Sequence, residues 1–280
     1  MSQDDAVTPA AVTVAVTEDG PCLVTGPVTV AYQVIATDDE GASWTWKQGA
    51  TVPTRAKFLR CRCGRSSTKP FCDDTHASVG FDGTETASRS AYEEQAVLSE
   101  GPTMDLADAE ALCAFARFCD GHGKVWDVVA ETTTDAARQI TAHEASHCPG
   151  GRLVAYDKVD GARAVEPQLE VSIGLVEDPV ERSSGGIWPR GGIAVTAADG
   201  TPYPVRNRVV LCRCGASSNK PFCDGSHATI GFADALLETV DAEPDGTDSV
   251  RTPRVQPPGR SGWARTPASA LRNSASIRVA

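Results

Sequence analysis

One pattern, Cys-x-Cys-x₈-Cys-x₃-His, occurs twice and constrains this chain more than any other feature. Cys61-Arg-Cys-Gly-Arg-Ser-Ser-Thr-Lys-Pro-Phe-Cys-Asp-Asp-Thr-His76 recurs as Cys212-Arg-Cys-Gly-Ala-Ser-Ser-Asn-Lys-Pro-Phe-Cys-Asp-Gly-Ser-His227. Carried on to Phe81 and Phe232, the copies agree at 15 of 21 positions. Upstream the likeness loosens, but Gly20, Gly26 and the Val28/Val30 pair still correspond to Gly185, Gly191 and Ile193/Val195. A repeat of this kind implies one small unit built twice. Nine of the ten cysteines fall in clustered motifs, Cys22 being the exception. The start, Met1-Ser-Gln-Asp-Asp, lacks the basic and apolar regions of a secretory signal, so a cytosolic chain is expected. Thiols stay reduced there, so the cysteines point to metal or redox chemistry before disulfides.

The spacing explains how four donors can converge. Cysteines at i and i+2 of an extended segment point the same way and can bind one iron. Gly64, Ser66 and Pro70 turn the chain back, so that Cys72 and His76 arrive four residues apart. With Asp73 capping a short helix, Cys72 sits at its mouth and His76 one turn on, and the first N–H groups favour an anionic centre. Cys212, Cys214, Cys223 and His227 repeat the arrangement. A tetrahedral zinc site also accepts three sulfurs and one imidazole, although zinc usually takes Cys-x₂₋₄-Cys pairs.

Cys-x-Cys-x₂-Ser-x₃-Pro-x-Cys-Asp-Gly-Ser-His resembles the CDGSH iron–sulfur family, of the mitoNEET type. The second copy fits throughout, at Cys212, Cys214, Ser217, Pro221, Cys223, Asp224, Gly225, Ser226 and His227. In the first, Asp74 replaces Gly and Thr75 replaces Ser. The Asp suits a left-handed residue, a region Asp visits readily, and its charge should lower the reduction potential of that site. The resemblance implies a [2Fe-2S] cluster with three Cys and one His ligand in each β-rich cradle. It also raises the prospect that the two copies pair as an internal pseudo-dimer. One His in place of a thiolate should set the potential above that of an all-Cys cluster and below that of Rieske centres. The imidazole–iron bond is then the acid-labile one. Lys69 and Lys220 stand at equivalent positions, either offsetting cluster charge or simply solvated.

Between the copies, Cys113-x₅-Cys119 and the later Cys148-Pro149 resemble single-cluster bacterial ferredoxins. The resemblance implies a third centre on Cys113, Cys119 and Cys148, either [3Fe-4S] or [4Fe-4S] with His122, His143 or His147 as a fourth ligand. Buried core cysteines are the alternative. Positions i and i+6 lie about 240° apart on a helix, so sharing a cluster requires any helix to end near Cys113. Asp105 is expected to cap a short helix through Leu106, Leu112, Cys113 and Ala116, with a strand at Lys124-Val-Trp-Asp-Val-Val129.

The expected fold is α+β. Two β-rich CDGSH cradles, at 1–90 and 166–236, flank a ferredoxin-like α+β segment at 91–165. Alternating stretches at Val12-Thr-Val-Ala-Val16, Val28-Thr-Val-Ala-Tyr32 and 205–211 supply strands. Residues 237–280 read as a disordered tail, with six Arg, four Pro and no acid over 249–280. Cys22 reads as a buried inert thiol, and Trp44 and Trp46 as core. The net charge of −11 disfavours nucleic acid and anionic membrane as partners. No stretch approaches the ~18 apolar residues of a span. No substrate pocket, nucleophile–base pair or phosphate loop is legible, so an electron carrier working with a redox partner protein is expected, not an enzyme. Cluster or iron transfer to an apo-acceptor through the labile His, or redox sensing, is the alternative. A structural zinc module is a third reading.

Overall fold

The computed structural model describes residues 12–159, 161–234 and, for the backbone, 245–248. β-Branched and aromatic residues in short alternating runs make most of it strand. In the first copy these are β1 (Thr13–Val16), β2 (Cys22–Thr25), β3 (Thr29–Thr37), β4 (Ser43–Thr51) and β5 (Lys57–Arg60). In the central segment they are β6 (Val97–Glu100), β7 (Met104–Asp108), β8 (Leu153–Asp157) and β9 (Arg163–Val165). In the second copy they are β10 (Ser172–Asp178), β11 (Ser183–Arg190) and β12 (Ala194–Thr196). The helices are α1 (Thr75–Ser78), α2 (Tyr92–Gln95), α3 (Val125–Val128), α4 (Asp135–His147) and α5 (Ser226–Thr229).

The two copies exchange strands. One sheet runs β12-β1-β2-β5, and β12 of the second copy lies parallel to β1 of the first (Thr13↔Ala194). The other begins β11-β10-β3-β4, with β3 of the first copy parallel to β10 of the second (Ser172↔Thr29). Each sheet therefore holds the leading hairpin of one copy and a strand of the other, the pattern of a swapped dimer folded within one chain. The correspondence extends to detail, because Cys22↔Arg60 in the first copy is matched by Ile187↔Leu211 in the second. The strand expected at 205–211 is reduced to bridges at Arg208 and Leu211. Pro189 on the facing strand accepts from Val209 but has no N–H to return, which breaks the ladder.

The central segment forms its own antiparallel sheet, β6-β7-β8-β9, with α4 packed against β8. Two expectations fail here. Residues 104–108 are strand and not helix, because pairing with both β6 and β8 satisfies their backbone while Met104 and Leu106 enter the core. Residues 125–128 are helix and not strand: Val125, Val128 and Val129 recur at helical spacing on a fully buried face, and this outweighs the β preference of valine. α4 has its own signals, a Thr134 Oγ1 that accepts from Ala137 N at 3.2 Å and a Pro149 that stops it.

Trp46 of β4, Trp188 of β11 and Phe118 of the central segment meet at ring distances of 4.7 and 4.9 Å, so one aromatic knot joins all three parts. Trp44 is also buried, stacked on His143. Within the stretch expected to be disordered, Asp245–Asp248 forms β13 beside β4; the rest of 237–280 lies outside the described residues. No helix among the described residues is long and apolar enough to cross a membrane.

Strand exchange makes the copies interdependent. Ile173→Ala, at a fully buried site on the exchanged sheet, should cost about 2–5 kcal/mol. Denaturant melts followed by tryptophan fluorescence should still show one transition, shifted down; two separated transitions would mean the copies fold apart.

Candidate metal centres

Each repeat places its donors by the same local devices. In Cys61-Arg62-Cys63 the side chains alternate, and the buried Arg62 guanidinium donates to the carbonyls of Gly20 (2.7 Å), Thr17 (2.9 Å) and Gly83 (3.0 Å). The two sulfurs, 3.7 Å apart, are left together. Arg213 does the same for Cys212 and Cys214, donating to the Val176 carbonyl and the carboxylates of Glu177 and Asp234, with the sulfurs 3.8 Å apart. Ser66 Oγ donates to the Phe71 carbonyl and Ser217 Oγ to that of Phe222, both at 2.7 Å, which returns the chain to its third cysteine.

The expected Asp73 cap is displaced by one residue. α1 starts at Thr75 behind Asp74, which is left-handed at φ 66° and makes no side-chain cap, as Gly225 is before α5. Asp73 instead ties the loop together, accepting from the Ser67 and Thr75 N–H groups and from Ser67 Oγ. The turn brings His76 Nδ1 within 3.4 Å of Cys72 Sγ, and His227 Nδ1 within 3.4 Å of Cys223 Sγ. Backbone N–H groups point at the sulfurs: Arg65 N to Cys63 and Asp74 N to Cys72, each at 3.4 Å. In the second copy the neighbouring Cys214 thiol, with help from the Ser217 and Gly215 N–H groups, draws Cys212 down to about 6.

The two loops touch. A Cβ on Gly64 would lie 2.6 Å from the Cys214 carbonyl oxygen, and one on Gly215 would lie 2.5 Å from that of Cys63. The sites differ in cover. Cys72 and His76 are half-buried and Asp74 exposed, whereas Cys223 and His227 are buried, the latter 4% exposed. The cover comes in part from the central segment: a Cβ on Gly225 would meet Phe115 Cβ at 3.0 Å and the Cys113 carbonyl at 3.6 Å. Burial pulls His227 down to about 4. Lys69 and Lys220 each donate Nζ to a loop carbonyl, Ser66 and Ser217 respectively, at 2.7 Å, and Lys69 lies 3.9 Å from Asp234.

The structure also gathers the central cysteines. Cys113 follows a short 3₁₀ turn in an extended conformation, Cys119 sits in the next turn, and Cys148 caps α4. The helix thus ends before Cys113, as sharing a centre requires. Burial raises Cys119, and the Cys148 and Cys113 thiols beside it add to the effect. Between Cys113 and Cys119, Phe115 and Arg117 are both left-handed, the kind of backbone strain that collects at functional loops. The Leu153 and Arg152 N–H groups reach Cys148, and the Arg152 guanidinium reaches Cys113. The candidate histidine ligands are engaged elsewhere. His122 Nε2 lies 2.8 Å from Asp38, His143 Nε2 lies 2.8 Å from the Trp44 carbonyl, and His147 Nδ1 lies 2.8 Å from the His143 carbonyl. Cys22 is buried and raised to about 11 by burial, as an inert thiol should be.

Gly64→Ala or Gly215→Ala should perturb both sites at once. Either adds a side chain at positive φ, costing about 1–2 kcal/mol by itself, and drives a methyl into the opposite loop. Loss of visible absorbance from both sites is expected; loss confined to the mutated copy would show that the loops are independent.

Two regions of the chain, residues 19–77 and 184–228, match the family described as iron-binding zinc finger, CDGSH type. Residues 99–158 match the family described as divergent 4Fe-4S mono-cluster. Among curated proteins and among solved structures no match was found. The molecule is an iron–sulfur protein, two CDGSH modules flanking a ferredoxin-like mono-cluster segment.

Proposed function

We propose that the chain is an electron carrier holding a [2Fe-2S] cluster on Cys61, Cys63, Cys72 and His76, a second on Cys212, Cys214, Cys223 and His227, and a [4Fe-4S] or [3Fe-4S] centre on Cys113, Cys119 and Cys148. The spacing of the donors carries this reading. On one tetrahedral metal, with bonds of about 2.3 Å to sulfur and about 2.0 Å to nitrogen, two donors lie about 3.5–3.8 Å apart. The Cys–Cys pairs at 3.7 and 3.8 Å and the Cys–His pairs at 3.4 Å each fit a single ion. Yet the one set of three candidate donors within 4.8 Å of one another among the described residues is Cys72, Asp74 and His76. Neither site draws three of its own four ligands round one point. Two pairs, each sized for one metal, favour a binuclear centre over a mononuclear zinc site.

Contacts between the ligand sets supply a route. The Cys113 carbonyl abuts Gly225, two residues past Cys223; the Cys214 loop abuts Gly64, next to Cys63; and the His76 edge of the first site reaches solvent. Electrons entering at the central set, itself half-buried, would leave from Cys72 and His76. The acidic chain, at −11, suits a redox partner with a cationic docking face.

The contrast between half-buried His76 and buried His227 favours a second reading, in which the first site donates its cluster to an apo-acceptor. Anaerobic reductive titration separates the two. About three electron equivalents per chain should be taken up and returned without bleaching, one per cluster, and the Cys113→Ser/Cys119→Ser/Cys148→Ser variant should lose one. Bleaching on reduction, with the cluster recovered on an apo-acceptor, would contradict electron transfer and favour donation.

A further inference from the structure

We propose that Cys72, Asp74 and His76 also form a mononuclear site for a divalent transition ion, occupied when the first centre carries no cluster. This rests on reading the first repeat as a metal site, and it adds a ligand and a state that the four-donor reading lacks. Cys72 Sγ lies 3.4 Å from His76 Nδ1 and 3.9 Å from Asp74 Oδ1, and the three donor atoms lie within 4.8 Å of one another. Bonds of about 2.0–2.3 Å from one ion to sulfur, nitrogen and oxygen would set them at nearly these separations. One thiolate, one imidazole and one carboxylate suit Fe²⁺, Co²⁺ or Zn²⁺ and not the hard cations, which prefer all-oxygen shells.

Asp74 is available for this and its neighbour is not. The Asp73 carboxylate is taken up by Ser67 and Thr75. Asp74 is exposed and left-handed, which turns its carboxylate towards Cys72. The ion would have three protein donors and an outward fourth position, the pattern of a site that exchanges its ion or binds a further ligand. The second repeat cannot match it. Gly225 has no side chain, and a Cβ there would press on Phe115 at 3.0 Å. The repeats are thus alike in four donors and unlike in a fifth, which gives the first site a way to hold one iron before a second iron and sulfide arrive, or after they leave.

Cobalt(II) is the probe. In full-length Cys61→Ser/Cys63→Ser protein reconstituted with iron and sulfide, then cleared of unclustered iron with EDTA and gel filtration, the second and central sets are filled, the first cannot build a cluster, and its three remaining donors are free to take cobalt. Equilibrium dialysis should then show one cobalt bound per chain, and adding Asp74→Gly should weaken it by about tenfold or more, at least the loss expected of a residue that only supports a ligand. No bound cobalt, or equal affinity with and without Asp74, would overturn the proposal. Should the double variant not fold by circular dichroism, the single Cys61→Ser variant with and without Asp74→Gly, reconstituted in the same way, provides the same comparison, with the same outcomes deciding it. The assay counts an added ion, so it can succeed even if the native centre is not [2Fe-2S].

Discussion

The Cys63 and Cys214 carbonyls each lie against the bare α-carbon of the glycine in the opposite loop, and the rest of the molecule is arranged to hold that contact. Two small β units, each with little core of its own, could not keep four donors in register alone. Strand exchange supplies the missing surface. β12 completes the first copy's sheet and β3 the second's, so the apolar side chains of both copies enter one continuous core with Val14, Val24, Ile173, Leu175 and Leu211 at its centre. Because the exchange places the copies about a pseudo-two-fold axis, the two cysteine loops must meet on it.

Charge is handled by the same symmetry. Arg62 and Arg213 occupy the position between the first two cysteines, and both are buried. Arg62 is met by three neutral carbonyls. Arg213 faces two carboxylates, Glu177 and Asp234, which accept its hydrogen bonds. A buried cation held by carbonyls stays uncompensated until an anion comes near, whereas one held by two acids does not. The repeats have kept the Cys₃His set and the loop contacts that place it, and diverged in counter-charge, cover and the residue ahead of the terminal helix.

Much of this was legible in the sequence, and the limits have physical causes. The Cys61/Cys63 and Cys72/His76 pairings, their counterparts in the second copy and the left-handed Asp74 followed from the motif's spacing. The cradle strands followed from β-branched alternation. That the copies pair was raised by the repeat, but which strand crosses to which sheet depends on contacts between residues more than 140 positions apart, which no local pattern records. The central segment misled for a different reason. Val125, Val128 and Val129 carry both a β preference and a helical spacing, and only the buried face they meet decides between them. At residues 104–108 the apolar positions run on into those of the turn that follows and together mimic one helical face. Phe115, which covers the second site, had no signal beyond its place between two cysteines.

The central claim is that each Cys₃His set holds two irons bridged by sulfide. Counting iron and acid-labile sulfide per chain in protein purified without oxygen tests it most directly. The account predicts about seven or eight irons with about eight sulfides for the full chain, and about four of each in the Cys113→Ser/Cys119→Ser/Cys148→Ser variant. About two metal ions and no sulfide in that variant would contradict it, and would make both repeats mononuclear sites.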